Sequence, residues 1–192
     1  MRLQSLIGIT TALLTVFGSA AVPIPLASAA EAPVAAEKNP PGDIPDSQVF
    51  ISYRSPLGFT LKVPEGWARK ERADGVSFAD KYGNVDVSVA TSTAAPTAAS
   101  VKAGEALALE QSGHAVKIDA IKSDSLPAGP SVLVKYHPNS EPNAVTNKRI
   151  RLEHDRYLIV HGSSIATLDF SAPAGADNVD QRQLMSQSFG WH

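Results

Sequence analysis

The sequence predicts an α+β domain built on a mostly antiparallel sheet of seven to eight strands flanked by helices, and three observations carry that prediction. Short runs rich in Val, Ile, Phe and Tyr recur from residue 49 to residue 170, separated by Gly-, Pro- and Asn-containing turns. Two stretches read as helices, one in the middle and one at the end, so helices do not follow each strand as they do in a doubly wound parallel sheet. The 192 residues, 43% apolar and 19% charged, suit one globular domain with a tail.

Residues 49–54 (VFISYR) form the first strand and Ser55-Pro56-Leu57-Gly58 the turn after it. Phe59, Leu61 and Val63 alternate with polar residues and should face inward, and Pro64-Glu65-Gly66 leads to Trp67 at the edge of the core. The charged stretch 65–74, with Arg69, Lys70, Glu71 and Arg72, reads as a solvated loop. Residues 76–81 and 85–91 pair around Tyr82-Gly83-Asn84, where Gly and Asn would supply positive φ angles, and Val85, Val87 and Val89 share one face.

Ser100 is placed to cap a helix over 101–111 that Gly113 stops. Residues 116–122 alternate again, and Val132-Leu133-Val134 within 130–137 is apolar on both faces, as in a strand covered from two sides. In 149–155, Arg149, Arg151, Glu153 and Asp155 read as outward and Ile150 and Leu152 as inward. The parity slips at Arg156-Tyr157, which predicts a bulge. His161-Gly162-Ser163 turns the chain into 165–170, and Asn178 with Gln181 fits a capping box for a helix burying Val179, Leu184, Met185 and Phe189.

The first thirty residues carry one charge, Arg2, then an apolar run from Leu6 to Val22, then Pro23 and Pro25 ahead of Ala27-Ser28-Ala29. That layout is a secretory signal with Ala27 and Ala29 as the small residues its peptidase needs, and it predicts cleavage after Ala29 or Ala30. Residues 31–47, with Pro33, Pro40, Pro41 and Pro45, should be an extended, mobile tether. The domain then occupies 48–192. The expected destination is outside the cytoplasm, with no membrane span left after cleavage.

Composition excludes several function classes. A formal charge of −2 offers no electrostatic grip on nucleic acid or anionic lipid. The absence of cysteine excludes disulfides, thiolate nucleophiles, Cys-ligated metals and a lipid on an N-terminal cysteine. No Gly-x-Ser-x-Gly string occurs, Gly104, Gly113 and Gly129 are too scattered to cradle a phosphate, and His114, His137, His154, His161 and His192 lack metalloprotease spacing. Glu153 and Asp155 share a strand face, with Arg149 and Arg151 expected as their ion partners. The sequence therefore predicts no catalytic residues, no metal and no cofactor.

The opening Tyr53-x-Ser55-Pro56-x-Gly58-Phe59-x-Leu61-x-Val63-Pro64-x-Gly66-Trp67 and the closing Gly175-Ala176-Asp177-Asn178-Val179-Asp180 ahead of Ser186-x-Ser188-Phe189 together resemble the PsbP-like family of exported actinobacterial lipoproteins of the LpqN type. The likeness spans residues 49–191. It implies an antiparallel sheet flanked by helices, as in the photosystem accessory protein PsbP and a nuclear-transport factor that binds the GTPase Ran, and members that bind rather than catalyse. In two respects the chain departs from that pattern. The family's last helix opens Val-Asp-Pro-Trp, whereas Asp180 here is followed by Gln181 and Arg182, and the lipid-bearing cysteine of many members is missing.

The expected function is a secreted, non-enzymatic binding or accessory module of the cell envelope whose partner is a protein or a small apolar ligand. Two alternatives stand beside it. One is an exported hydrolase with non-contiguous catalytic residues, His137, His154 and Asp155 being the first suspects; the other is a structural or antigenic envelope component. Among the aromatic residues, Trp67, Tyr82, Tyr136, Tyr157 and Trp191 are candidates for a binding surface.

Overall fold

The structure, a computed structural model, describes residues 31–192, so the expected signal segment with Ala27 and Ala29 lies outside the described residues. Among the described residues, ten strands form two antiparallel sheets. β1 (Phe50–Arg54), β2 (Phe59–Pro64) and β10 (Gly190–Trp191) make a small sheet ordered β1-β2-β10. β3 (Ala68–Glu71), β4 (Gly75–Ala79), β5 (Asn84–Thr91), β6 (Lys117–Leu126), β7 (Gly129–His137), β8 (Leu152–His161) and β9 (Ser164–Pro173) make a large one ordered β3-β4-β5-β9-β8-β7-β6. The expected α+β class holds, with the strands divided between two sheets.

The clean alternations fold as read. Phe59, Leu61, Val63, Val85 and Val87 are buried in a core that joins one face of the large sheet to the small sheet and to α3 (Val179–Ser188) through Met185 and Phe189. A smaller core of Val101, Val132, Val134, Tyr136 and Leu158 lies on the opposite face, under α1 (Ala98–Val101), a π-helical turn Lys102–Ala106 and α2 (Leu107–Gln111). β7 is thus covered from both sides, as its apolar run requires.

Several expectations are corrected. The stretch read as a charged loop contains β3, an edge strand exposed at all four positions, so it has no buried face to betray it. The middle helix starts earlier than expected, because Thr97 and Ser100 form a reciprocal capping box. The 80–84 turn uses no positive φ at Gly83 or Asn84. Asp80 Oδ1 instead accepts from the Tyr82 and Gly83 amides, and a larger residue at 83 would displace Trp67, since a Cβ there would stand 2.6 Å from Trp67 Cη2. β8 pairs without a register break on either side, so the expected bulge at Arg156-Tyr157 is absent. A break does occur in β6, between Ile118 and Ala120.

The expected mobile tether is extended but docked. Asn139 Oδ1 accepts from the Val34 amide at 2.9 Å, while Asn139 Nδ2 donates to Glu31 Oε1 and the Ala32 carbonyl. Farther along, Asn178 Oδ1 accepts from the Ile44 amide at 2.6 Å, Asn178 Nδ2 donates to the Gly42 carbonyl, and Gln181 Nε2 donates to the Ile44 carbonyl. Proline keeps the segment extended, and two asparagines satisfy backbone groups that have no sheet partner. Asn178 and Gln181 are therefore occupied by this segment and form no capping box. Val179 and Leu184, expected in the core, are exposed, and Ile44 supplies a buried apolar side chain instead.

Replacing Asn178 with Ala leaves the buried Ile44 amide and the part-buried Gly42 carbonyl without this partner, at a cost of about 1–3 kcal/mol. Thermal melts of Asn178→Ala should shift down accordingly, and hydrogen exchange at the Ile44 amide should accelerate more than exchange in β8 and β9.

Candidate functional site

The strand β8 carries charge on both faces, and an enclosed polar cluster grows from that fact. Alternation puts His154, Arg156 and Leu158 toward the α1–α2 side and Glu153, Asp155 and Tyr157 toward α3. Asp169, opposite Arg156 on β9, is almost fully enclosed. Its Oδ2 accepts from Arg156 Nε at 2.6 Å and from the Tyr136 hydroxyl at 2.8 Å, and its Oδ1 lies 2.8 Å from His154 Nδ1. The Tyr136 ring stacks on His154 with centroids 4.5 Å apart. Arg156 Nη1 then reaches Glu105 Oε1 at 2.8 Å, on the π-helical turn.

Burial alone would push the Asp169 carboxyl up; the His154 contact, the Arg156 charge and the Tyr136 hydroxyl outweigh it and hold the carboxyl below the usual carboxylate range. Burial and the neighbouring Asp169 charge push the Tyr136 phenol well above its usual range. Desolvation would lower Arg156, but the charge of Asp169 and the bond to Glu105 more than reverse it, so the guanidinium stays charged. On the next strand Asp86, the register partner of Asp169, has its own arginine, Arg72, in a two-bonded fork at 2.8 and 2.9 Å.

The same π-helical turn that receives Arg156 forms one wall of a groove. Lys102, Ala106, Leu107 and Glu110 face Ile118, Asp119, Ala120 and Ile121 of β6 across about 510 Å³. A π turn inserts one residue into the helical ladder, and such turns recur at functional sites. The β6 bulge leaves Asp119 unpaired in the ladder; its carboxylate lies 3.0 Å from Lys117 Nζ and in contact with His137 Nδ1. Desolvation would raise this carboxyl, but the Lys117 and His137 hydrogen bonds lower it below the usual value. β6 is an edge strand, so one side of its backbone has no strand partner among the described residues.

The suspects for an exported hydrolase do not converge. His137 turns to Asp119, His154 to Asp169, and Asp155 points to the other face, where it lies 2.7 Å from Lys135 Nζ and 3.5 Å from Arg182 Nη1. Glu153 also pairs with Arg182, at 3.0 Å. The expected partners act elsewhere: Arg149 binds Glu31 and the Ser140 carbonyl, and Arg151 binds the Ala115 carbonyl and Asn139. Tyr136 is buried, Tyr157 is partly buried against the core, Tyr82 is exposed, and Trp191 packs on His161 and Phe189 at the core rim. Among the described residues there is no group of three or more His, Asp and Glu able to hold a metal, and no helix long and apolar enough to cross a membrane.

Sequence reasoning missed Asp169 and Glu105. The available signal was a lone carboxylate between Leu168 and Phe170 in an otherwise apolar strand.

Two antiparallel sheets sharing a core with a C-terminal helix, and a second helix laid over the far face, define the class of domain. No family profile matches the chain and no curated protein sequence matches it. Solved structures do. Cyanobacterial PsbP (CyanoP) from Synechocystis sp. PCC 6803 aligns with a TM-score of 0.55 and 14% identity, over 79% of this chain and 98% of its own. The Saccharomyces cerevisiae Ran-binding protein Mog1p aligns with a TM-score of 0.52 and 11% identity, over 76% of this chain and 96% of its own. The chain has the PsbP-like fold.

Replacing Asp169 by Asn strands Arg156 with one carboxylate partner and should cost roughly 3–5 kcal/mol, the scale for breaking a buried ion pair. Because the folded carboxyl is held below its unfolded value of about 3.9, its stabilisation is complete above that pH and is lost as pH falls through the lower native value. Urea melts across the acid range should therefore fall off less steeply in Asp169→Asn than in the parent.

Proposed function

We propose that this protein is an exported, non-enzymatic binding or accessory module of the cell envelope, of the LpqN type within the PsbP-like fold. The observation that carries the reading is the groove between the π-helical turn and the edge strand β6. Its floor is aliphatic through Ala106, Ile118 and Ile121, its rim carries Lys102, Glu110 and Asp119, and a backbone with open hydrogen-bonding positions runs along it. A protein partner offering an extended segment would find both main-chain bonding along β6 and an apolar seat for its side chains. Glu105, locked to Arg156, fixes the helical wall in place, so the groove needs little ordering when a partner arrives. The terminal motifs described above and the mild net charge agree with this role.

Export is tested by the mass of the chain recovered from the extracytoplasmic fraction, which should begin at Ala30 or Glu31. For binding, the folded protein carrying a photo-crosslinker at residue 121 is exposed to envelope extract. A reproducible adduct should form with the parent and disappear with Leu107→Glu, a substitution at an exposed position of the groove wall. An empty capture, or one indifferent to Leu107→Glu, overturns this reading and leaves hydrolase substrate screens as the next experiment.

A further inference from the structure

The two sheets leave an opening at one margin, where β1 is the edge of the small sheet and β3 the edge of the large one. The cleft between them measures about 360 Å³, within the range of small-ligand sites. Its floor is the core itself: Tyr53, Val63 and Phe78, all buried. Its walls are Trp67, half-buried against the core, and Ile51, 46% exposed. A single exposed isoleucine is ordinary on a protein surface; one that borders a concavity running down to core aromatics is a different situation. The Trp67 ring also lies against the backbone at Gly83, where an added Cβ would stand 2.6 Å from its Cη2.

Among the described residues lining the cleft, Arg69 alone carries a charge. Its guanidinium lies 5.6 Å from the centre of the Tyr53 ring, at the mouth. Its partner, Glu71, contacts it at 3.5 Å, and both side chains are about half exposed, so the pair is weakly held and can be exchanged. Glu71 also accepts a long hydrogen bond of 3.4 Å from the Tyr53 hydroxyl, which it can keep when Arg69 turns to another anion. An incoming carboxylate would meet Arg69 as a planar fork, the geometry guanidinium binds best.

We propose that this cleft is a binding site for a small amphipathic carboxylate, an aryl or short acyl acid whose apolar body lies between Ile51 and Trp67 and whose carboxylate binds Arg69. The site is separate from the β6 groove, shares no lining residue with it, and its existence does not depend on the function proposed above.

The full mature chain is titrated with octanoate and, in parallel, with 1-octanol, following the indole N–H resonance of Trp67 in two-dimensional NMR; Trp191→Phe assigns the two indole signals. Octanoate should shift the Trp67 resonance in a saturable way and bind more tightly than the alcohol. Arg69→Gln should weaken octanoate roughly tenfold, the scale of one charge-assisted hydrogen bond, and leave 1-octanol unchanged. Glu71→Gln should do the opposite and tighten octanoate, because Arg69 loses its competing carboxylate. Both substitutions fall on an edge strand exposed at every position, so the fold tolerates them, and the dispersion of the remaining resonances checks that directly. The proposal is overturned if Trp67 does not respond, if acid and alcohol bind alike, or if Arg69→Gln leaves octanoate affinity unchanged.

Discussion

Everything in the large sheet is arranged around the charges of β8. A strand near the middle of a sheet covered on both faces would ordinarily be apolar throughout, yet β8 directs His154 and Arg156 to one side and Glu153 and Asp155 to the other. Each charge must find a partner before water is excluded, and the partners decide what covers the sheet. Asp169 and Glu105 answer Arg156 and bring the π-helical turn down onto β7 and β8. Arg182 answers Glu153 and Asp155 and sets α3 against the opposite face. The packing of both helices is thus written into one strand.

That arrangement explains which parts of the fold could be read from sequence. Hairpins such as Phe59, Leu61, Val63 and Val85, Val87 were legible because one face is apolar and the other polar, the case in which alternation reports burial directly. β8 was not, because polarity stopped marking the outside: Arg156 in an interior position beside Tyr157 looks like a slip in register and predicts a bulge where the ladder is continuous. β3 failed for the opposite reason, having no interior at all. At the last helix the signals were real but spent differently. Asn178 and Gln181 do form hydrogen bonds, to the N-terminal segment, and Val179 and Leu184 stand outside because the anchoring is done by Ile44, Met185 and Phe189.

The candidate site was less legible than the fold. Its members lie on three strands and a helical turn and come together only through long-range pairing: Tyr136, His154, Arg156 and Asp169 meet from β7, β8 and β9, and Glu105 arrives from a π-helical turn more than fifty residues earlier in the chain than Arg156. Spacing along a sequence carries no trace of such a meeting unless an element repeats it locally. The β6 bulge did leave a local trace: two apolar residues, Ala120 and Ile121, stand side by side in a strand that otherwise alternates.

The docking of the N-terminal segment on Asn178 bears on the order of events during folding. Ile44 and Asn178 are separated by 134 residues, and the intervening chain contains every strand of the large sheet. The Ile44–Asn178 contact therefore closes across the whole large sheet, and it is a long-range step. Until α3 is in place, Ile44 lacks its Asn178 and Gln181 partners and the core lacks Met185 and Phe189. The core is therefore complete only when residues 44 and 178, far apart along the chain, have met.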